Sequence, residues 1–385
     1  MASVLIAVIY LAFVSMGLPD ALLGAAWPSI QASWGLPVSW AGIVTFLIAG
    51  GTVISSMASN RLIQRFGTGW VTAGSTALVM LALFGFSFAG AFWQLCLLAL
   101  PYGLGAGSID AALNNYVALH YKSRQMSWIH FFWGVGATAG PTIMGWCLTG
   151  GAAWNSGYRI IGFVQLAMTV VLVLTLPLWQ KNPAEQDKAA GKTPVTEREA
   201  LRLPGAKAVL TAFFCYCALE STAGLWASSY MVAIRGVDVE KAASWASVFY
   251  LGITAGRFLC GFIADHFGDR TMVRMGQVLA AAGAALMLLP LPELGVFAGL
   301  LLVGLGCAPI YPCLLHQTPK NFGAENSQAL MGLQMACAYV GSTLMPPLLG
   351  VLAGAVNLML YPIFLLCITV LMFVLSERVN KMVRS

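Results

Sequence analysis

The chain has 385 residues, of which 59% are apolar and only 9% charged, where an ordinary water-soluble domain carries about a quarter charged residues. So little charge cannot coat a soluble globule; with a mean hydropathy of +0.81, the composition excludes a soluble enzyme and requires most of the exterior to face lipid. The net charge of +6 does not mark a nucleic-acid binder, because the basic residues fall in alternate loops between apolar runs.

A membrane helix needs about 20 mainly apolar residues. On that criterion the sequence predicts spans at 3–26, 39–58, 70–89, 93–118, 127–149, 158–178, 206–232, 243–263, 272–290, 294–317, 327–352 and 357–375. The first run starts at Val4 without a basic leader or a small-residue cleavage site, so it is expected to be retained as a helix. Pro19 interrupts it just before Asp20, with Gly17 and Gly24 nearby. Proline removes a backbone hydrogen bond, so a local break bearing an acid is expected there.

The fourth span carries Asp110 and, four residues on, Asn114, which share one helical face. An acid and an amide together can accept from and donate to adjacent hydroxyls. The competing reading for both is polar glue between helices. Lys122 and Arg124 mark the break before the fifth span, which carries His130 and Trp133. The seventh span holds Glu220, Trp226 and Tyr230, the tenth Tyr311, and the eleventh Gln334 and Tyr339. Aromatic faces suit sugar rings, but aromatics in membrane helices also serve packing. Arg257 lies within the eighth span and Asp265 about two turns on; an intramembrane arginine needs a partner, and Asp265 is the candidate.

Sixteen of the twenty Lys and Arg residues fall in the loops after the even-numbered spans, in the segment around 181–207 and at the C-terminal end. By the positive-inside rule both termini and the middle loop are cytoplasmic; the expected location is a bacterial inner membrane. The middle loop, with Pro183, Glu185, Asp187 and Pro194 among its basic residues, has linker composition. The expected domains are a six-helix bundle over 1–178, a linker over 179–205 and a second bundle over 206–385. The nine cysteines lie in apolar stretches without metal-ligand spacing, so neither disulfide nor metal is expected.

The halves repeat each other. Asp20 and Glu220 are 200 residues apart; Phe66-Gly67 answers Phe267-Gly268, and Gly103-Leu104-Gly105 answers Gly304-Leu305-Gly306, both at 201. Val135-Gly136 and Pro141 answer Val340-Gly341 and Pro346 at 205. Six spans per half make this a parallel repeat, a plan that places a solute site near mid-membrane where the halves meet. The symmetry fails at Asp110, whose repeat position holds Tyr311.

These residues carry a resemblance to the major facilitator superfamily along essentially the full length. Gly261-Phe262-Ile263-Ala264-Asp265-His266-Phe267-Gly268-Asp269-Arg270 is similar to the family's loop motif, and Asn60-Arg61-Leu62-Ile63-Gln64-Arg65-Phe66-Gly67 is a divergent copy. Gly17-Leu18-Pro19-Asp20, His130-Phe131-Phe132, Ala308-Pro309-Ile310-Tyr311-Pro312 and Pro346-Pro347 most resemble the fucose–glucose–galactose:proton symporter branch. Fucose-type members have a glutamate in the fourth helix and amides in the fifth, where this chain offers Asp110 and His130.

The resemblance implies an all-α membrane protein of twelve transmembrane helices in two six-helix bundles. It also implies a secondary transporter, not an enzyme, importing a small polyhydroxylated solute with protons by alternating access; an exporter of drugs or amphipathic metabolites is the alternative. Asp20, Asp110 and Glu220, costly to bury, are the expected proton carriers and solute contacts. Asn114, His130, Trp133, Trp226, Tyr230, Tyr311, Gln334 and Tyr339 are the further solute-binding candidates, and the resemblance implies a cytoplasmic gate contact to which Arg257 and Asp265 are assigned. No cofactor is expected beyond the proton gradient, with sodium as a variant; no Walker motif offers ATP driving. The chain is expected to act as a monomer.

Overall fold

The computed structural model describes residues 2–179 and 195–383; the greater part of the expected linker, with Pro183, Glu185, Asp187 and Pro194, lies outside them. The described residues are almost entirely helical. In chain order they form α1 (Ala2–Asp20), α2 (Leu22–Trp34), α3 (Ala41–Phe66), α4 (Thr68–Phe88), α5 (Phe92–His120), α6 (Ser123–Thr149) and α7 (Trp154–Leu174). After a short α8 (Glu197–Ala200) come α9 (Ala206–Arg235), α10 (Val239–Phe267), α11 (Asp269–Leu288), α12 (Glu293–Phe322), α13 (Ala324–Ala355) and α14 (Leu360–Met382).

Eleven of these segments are long and apolar enough to cross a membrane, with α1 and α2 acting as one broken span over Val4–Trp34. The twelfth, α6, has the length at 27 residues, but Ser123, Arg124, Gln125, Ser127 and His130 make its first turns polar. The chain is a multi-pass, all-α membrane protein. The break in the first span falls at Ala21 (φ −102°, ψ 5°), directly after Asp20 and two residues beyond Pro19.

The chain divides into two compact units. The first comprises residues 1–116 and 129–197, the second 117–128 and 198–385. Val117–Trp128 thus groups with the second unit, although in sequence it joins two helices of the first half. Side-chain bonds explain this. The His316 ring lies between the Asp269 carboxylate (Nδ1–Oδ2 2.8 Å) and the Tyr121 carbonyl (Nε2–O 3.0 Å). Asp265 accepts from the Arg124 N–H at 3.2 Å, and Trp128 packs edge-on against Phe262 over Gly261.

In the first unit, α8 begins against the end of α3. Asn60 donates to the Val195 carbonyl at 3.0 Å and is held by Gln64, while Arg61 pairs with Glu197 at 3.7 Å. The residues that depart from the family's loop motif, Asn60 and Gln64, therefore anchor the described C-terminal part of the linker.

The repeat is visible as contacts. Gly103 lies on the Ile48 carbonyl and Gly51 on that of Leu100; 201 residues on, Gly304 lies on the Phe249 carbonyl and Gly252 on that of Leu301. Gly105 meets Ser75 and Val79, and Gly306 meets Gly276 and Ala280, again at 201. Each unit therefore packs its second, third and fourth spans through the same small-residue seams.

Candidate functional site

In the first unit the site is built on close approach of α1 and α6. Gly17 faces the Trp133 carbonyl, Gly136 that of Val14 and Gly140 that of Leu18; a methyl group at any of them would overlap the opposing backbone. This brings the end of α1 against the indole of Trp133, whose Nε1 donates to Asp20 Oδ2 at 2.7 Å. The Tyr102 hydroxyl of α5 reaches the other carboxylate oxygen at 3.5 Å. Asp20 is nevertheless solvent-accessible, so both partners hold it without covering it.

Deeper in the same unit, Asp110 (8% exposed), Asn114 (0%) and His130 (5%) form a chain. Asn114 Nδ2 donates to Asp110 Oδ1 at 2.7 Å and to the Asp110 carbonyl at 2.9 Å. His130 Nε2 lies 3.1 Å from Asn114 Oδ1. Since the amide nitrogen is committed to the carboxylate, the amide oxygen accepts, and Nε2 carries the ring proton. Phe13 packs edge-on against that ring. Asp20 and Asp110 are within electrostatic reach of each other, so each feels whether the other is ionised.

The second unit has a different solution. Arg257 lies 3.6 Å from Glu220, and their side chains are 5% and 21% exposed; the carboxylate is the accessible member. Arg257 also donates to the Tyr216 hydroxyl at 3.3 Å. Tyr311 stands against Phe213 and Tyr216, with centroids 4.9 and 5.5 Å away, and its hydroxyl reaches Met335 Sδ at 3.3 Å. The Tyr250 ring end lies over Gly224, one turn beyond Glu220.

The expected partnership of Arg257 with Asp265 needs correction. Eight residues along α10 amount to about 12 Å, beyond an arginine's reach, whereas Glu220 stands directly across on α9. Asp265 is exposed at the end of α10 and binds the Arg124 N–H instead.

The remaining candidates are dispersed. Trp226 donates to the Pro346 carbonyl at 2.9 Å and packs on Gly350. Tyr230 is fully buried, donating to the Met287 carbonyl at 2.8 Å and accepting from Arg235 at 3.0 Å. Gln334 is fully buried and accepts from Thr318 at 3.0 Å. Tyr339 is half-buried on α13.

Three tyrosines escaped the sequence reading. Tyr216 lies one turn before Glu220, a spacing that could have flagged it; nothing in the sequence ties Tyr102 or Tyr250 to an acid. Among the described residues, no group of three His, Cys, Asp or Glu is placed to hold a metal.

The family profile described as Major Facilitator Superfamily matches residues 9–244 and 208–383. The chain belongs to the major facilitator superfamily. It is thus a membrane transporter and not an enzyme. Among superfamily relatives, it is 23% identical to bypass of stop codon protein 6 of Saccharomyces cerevisiae, over 94% of this chain and 80% of that one. It is 23% identical to the cis,cis-muconate transport protein of Acinetobacter baylyi, over 70% and 68%. With the 4-hydroxybenzoate transporter PcaK of Pseudomonas putida it shares 24% identity, over 76% and 72%. Among solved structures, the E. coli fucose:proton symporter FucP covers 97% of this chain and 98% of its own, with a TM-score of 0.79 at 16% identity. The proton:xylose symporter XylE covers 98% and 95%, with a TM-score of 0.79 at 12% identity. At such identities the structural likeness is one of fold.

Proposed function

We propose that the protein is a proton-coupled symporter importing a small polyhydroxylated solute, a monosaccharide or close derivative, across the bacterial inner membrane by alternating access, with both termini cytoplasmic. The observation carrying this reading is Asp20. It is an accessible carboxylate at a helix break, held by two neutral donors and within electrostatic reach of a buried Asp110–Asn114–His130 chain. A carboxylate at the bilayer centre costs roughly 2.5–3.5 kcal/mol even on the lenient insertion scale. Among the described residues the partners of Asp20 are the neutral Trp133 and Tyr102 donors, with no cation in an ion pair, so binding a proton or a solute hydroxyl is its natural use. Trp133 lies beside it to support a sugar ring.

The test is uptake of labelled monosaccharides into vesicles with an imposed proton gradient. We expect gradient-driven accumulation that persists when sodium is replaced. Asp20→Asn abolishes accumulation while leaving sugar counterflow measurable. Intact accumulation in Asp20→Asn would sink the mechanism.

A second reading, uptake of organic acids, is favoured by the relatives named for cis,cis-muconate and 4-hydroxybenzoate. Labelled 4-hydroxybenzoate in the same vesicles separates the two.

A further inference from the structure

The two units present their acids differently. In the repeat, Glu220 stands where the first unit has Asp20, and Arg257 stands where it has Ser56, whose hydroxyl only bonds the Gly107 carbonyl. The second unit has therefore added a cation behind its acid. The geometry orders the pair: the guanidinium is the buried member and the carboxylate the accessible one. Tyr216 takes a further guanidinium N–H. A solute reaching this face meets a carboxylate first, and Arg257 behind it is already engaged.

We propose that the Glu220–Arg257 pair sets the charge class of the solute, admitting uncharged hydroxylated molecules and refusing carboxylates by occupying Arg257 with a carboxylate of the protein's own. This rests on reading the chain as a carrier of hydroxylated solutes and names the residue that excludes their oxidised, acidic counterparts. An approaching carboxylate gains nothing from a guanidinium already paired, and it is repelled by the accessible Glu220 oxygen; juxtaposed like charges cost several kcal/mol. Specificity here is a built repulsion against the wrong class.

The pair therefore makes a gain-of-function prediction. Glu220→Gln leaves a neutral side chain of the same length and removes the protein's own carboxylate from Arg257, so that a solute carboxylate can take its place beside the guanidinium. Ligand-induced thermal stabilisation of the purified full-length protein reads the outcome. The neutral probes are D-glucose, D-galactose, L-fucose and D-xylose, and the anionic probes are D-glucuronate and D-galacturonate.

We expect the wild type to favour neutral probes and Glu220→Gln to improve hexuronate affinity by roughly tenfold or more. Glu220→Asp keeps the wild-type preference, and Glu220→Gln with Arg257→Gln loses the gain. A folded, monodisperse Glu220→Gln without hexuronate binding overturns the proposal. If that variant does not fold, the wild type still decides: equal or greater stabilisation by a hexuronate than by its hexose overturns it. Failure of the transport reading looks different, since then no neutral sugar binds the wild type whatever Glu220→Gln gains.

Discussion

Among the described residues, Asp20 accepts from Trp133 and Tyr102, both neutral donors. Neither cancels a charge, so the pair can hold the carboxylate in place while leaving it responsive to a proton or a hydroxyl. Trp133→Phe keeps the ring and removes only the N–H. A hydrogen bond to a charged group contributes about 1.5–3 kcal/mol, so the variant should lose stability of that order and, with Asp20 no longer held in place, apparent sugar affinity should fall, measured as a lowered melting temperature beside a raised KM of uptake. At this scale the sequence was legible where chemistry is costly to bury: Asp20, Asp110, Glu220 and Arg257 all draw attention in an apolar run. It was silent where a residue is cheap to bury. Tyr102 reads as an ordinary membrane aromatic until α5 is seen beside the end of α1. Trp226 and Tyr230 read equally well as ring-stacking surfaces, and only the Pro346 and Met287 carbonyls beside them reveal what their polar atoms do.

Glycine determines how closely the elements approach. The seam of Gly17, Gly136 and Gly140 sets the distance between α1 and α6, and thereby whether the Trp133 indole can reach Asp20. Gly140→Val forces a side chain into the Leu18 carbonyl; overpacking of this kind costs about 1–3 kcal/mol. A lowered melting temperature together with weakened uptake is expected. Gly145, on the same helix, has open space around its missing side chain. Gly145→Ala should leave uptake intact and, by helix propensity, raise stability by up to about 1 kcal/mol, which makes it the matched control. The sequence showed the glycines and the break at Pro19, but ordinary helix packing and site-building use the same residue, so only the contacts separate Gly140 from Gly145.

For the molecule as a whole, the duplication was readable because a near-constant register of 200–205 residues links residues that cannot match by composition alone. The structure converts that register into equivalent contacts, seam for seam. The attachment of Val117–Trp128 to the second unit was not readable, since it depends on His316, itself held by Asp269, and on Asp265 meeting backbone atoms far away in sequence. His316→Ala combined with Asp265→Ala removes bonds to the Tyr121 carbonyl and the Arg124 N–H on either side of Lys122. Trypsin should then cut at Lys122 and Arg124 faster than in the wild type, seen as two fragments on a gel; an unchanged rate would mean the segment is held by other contacts. The divergent loop motif of the first half gave no hint of its use either, because an asparagine donating to a main-chain carbonyl leaves no pattern in sequence.

The bond from the Trp133 indole to Asp20 has an optical consequence. Indole emission responds to charge placed at its nitrogen, so gain or loss of a proton at Asp20, or a hydroxyl arriving there, alters the colour and yield of Trp133 fluorescence. If Asp20 carries the proton as proposed, Trp133 is an unlabelled indicator of its occupancy, read in the ultraviolet as the difference from Trp133→Phe, since the chain has twelve tryptophans.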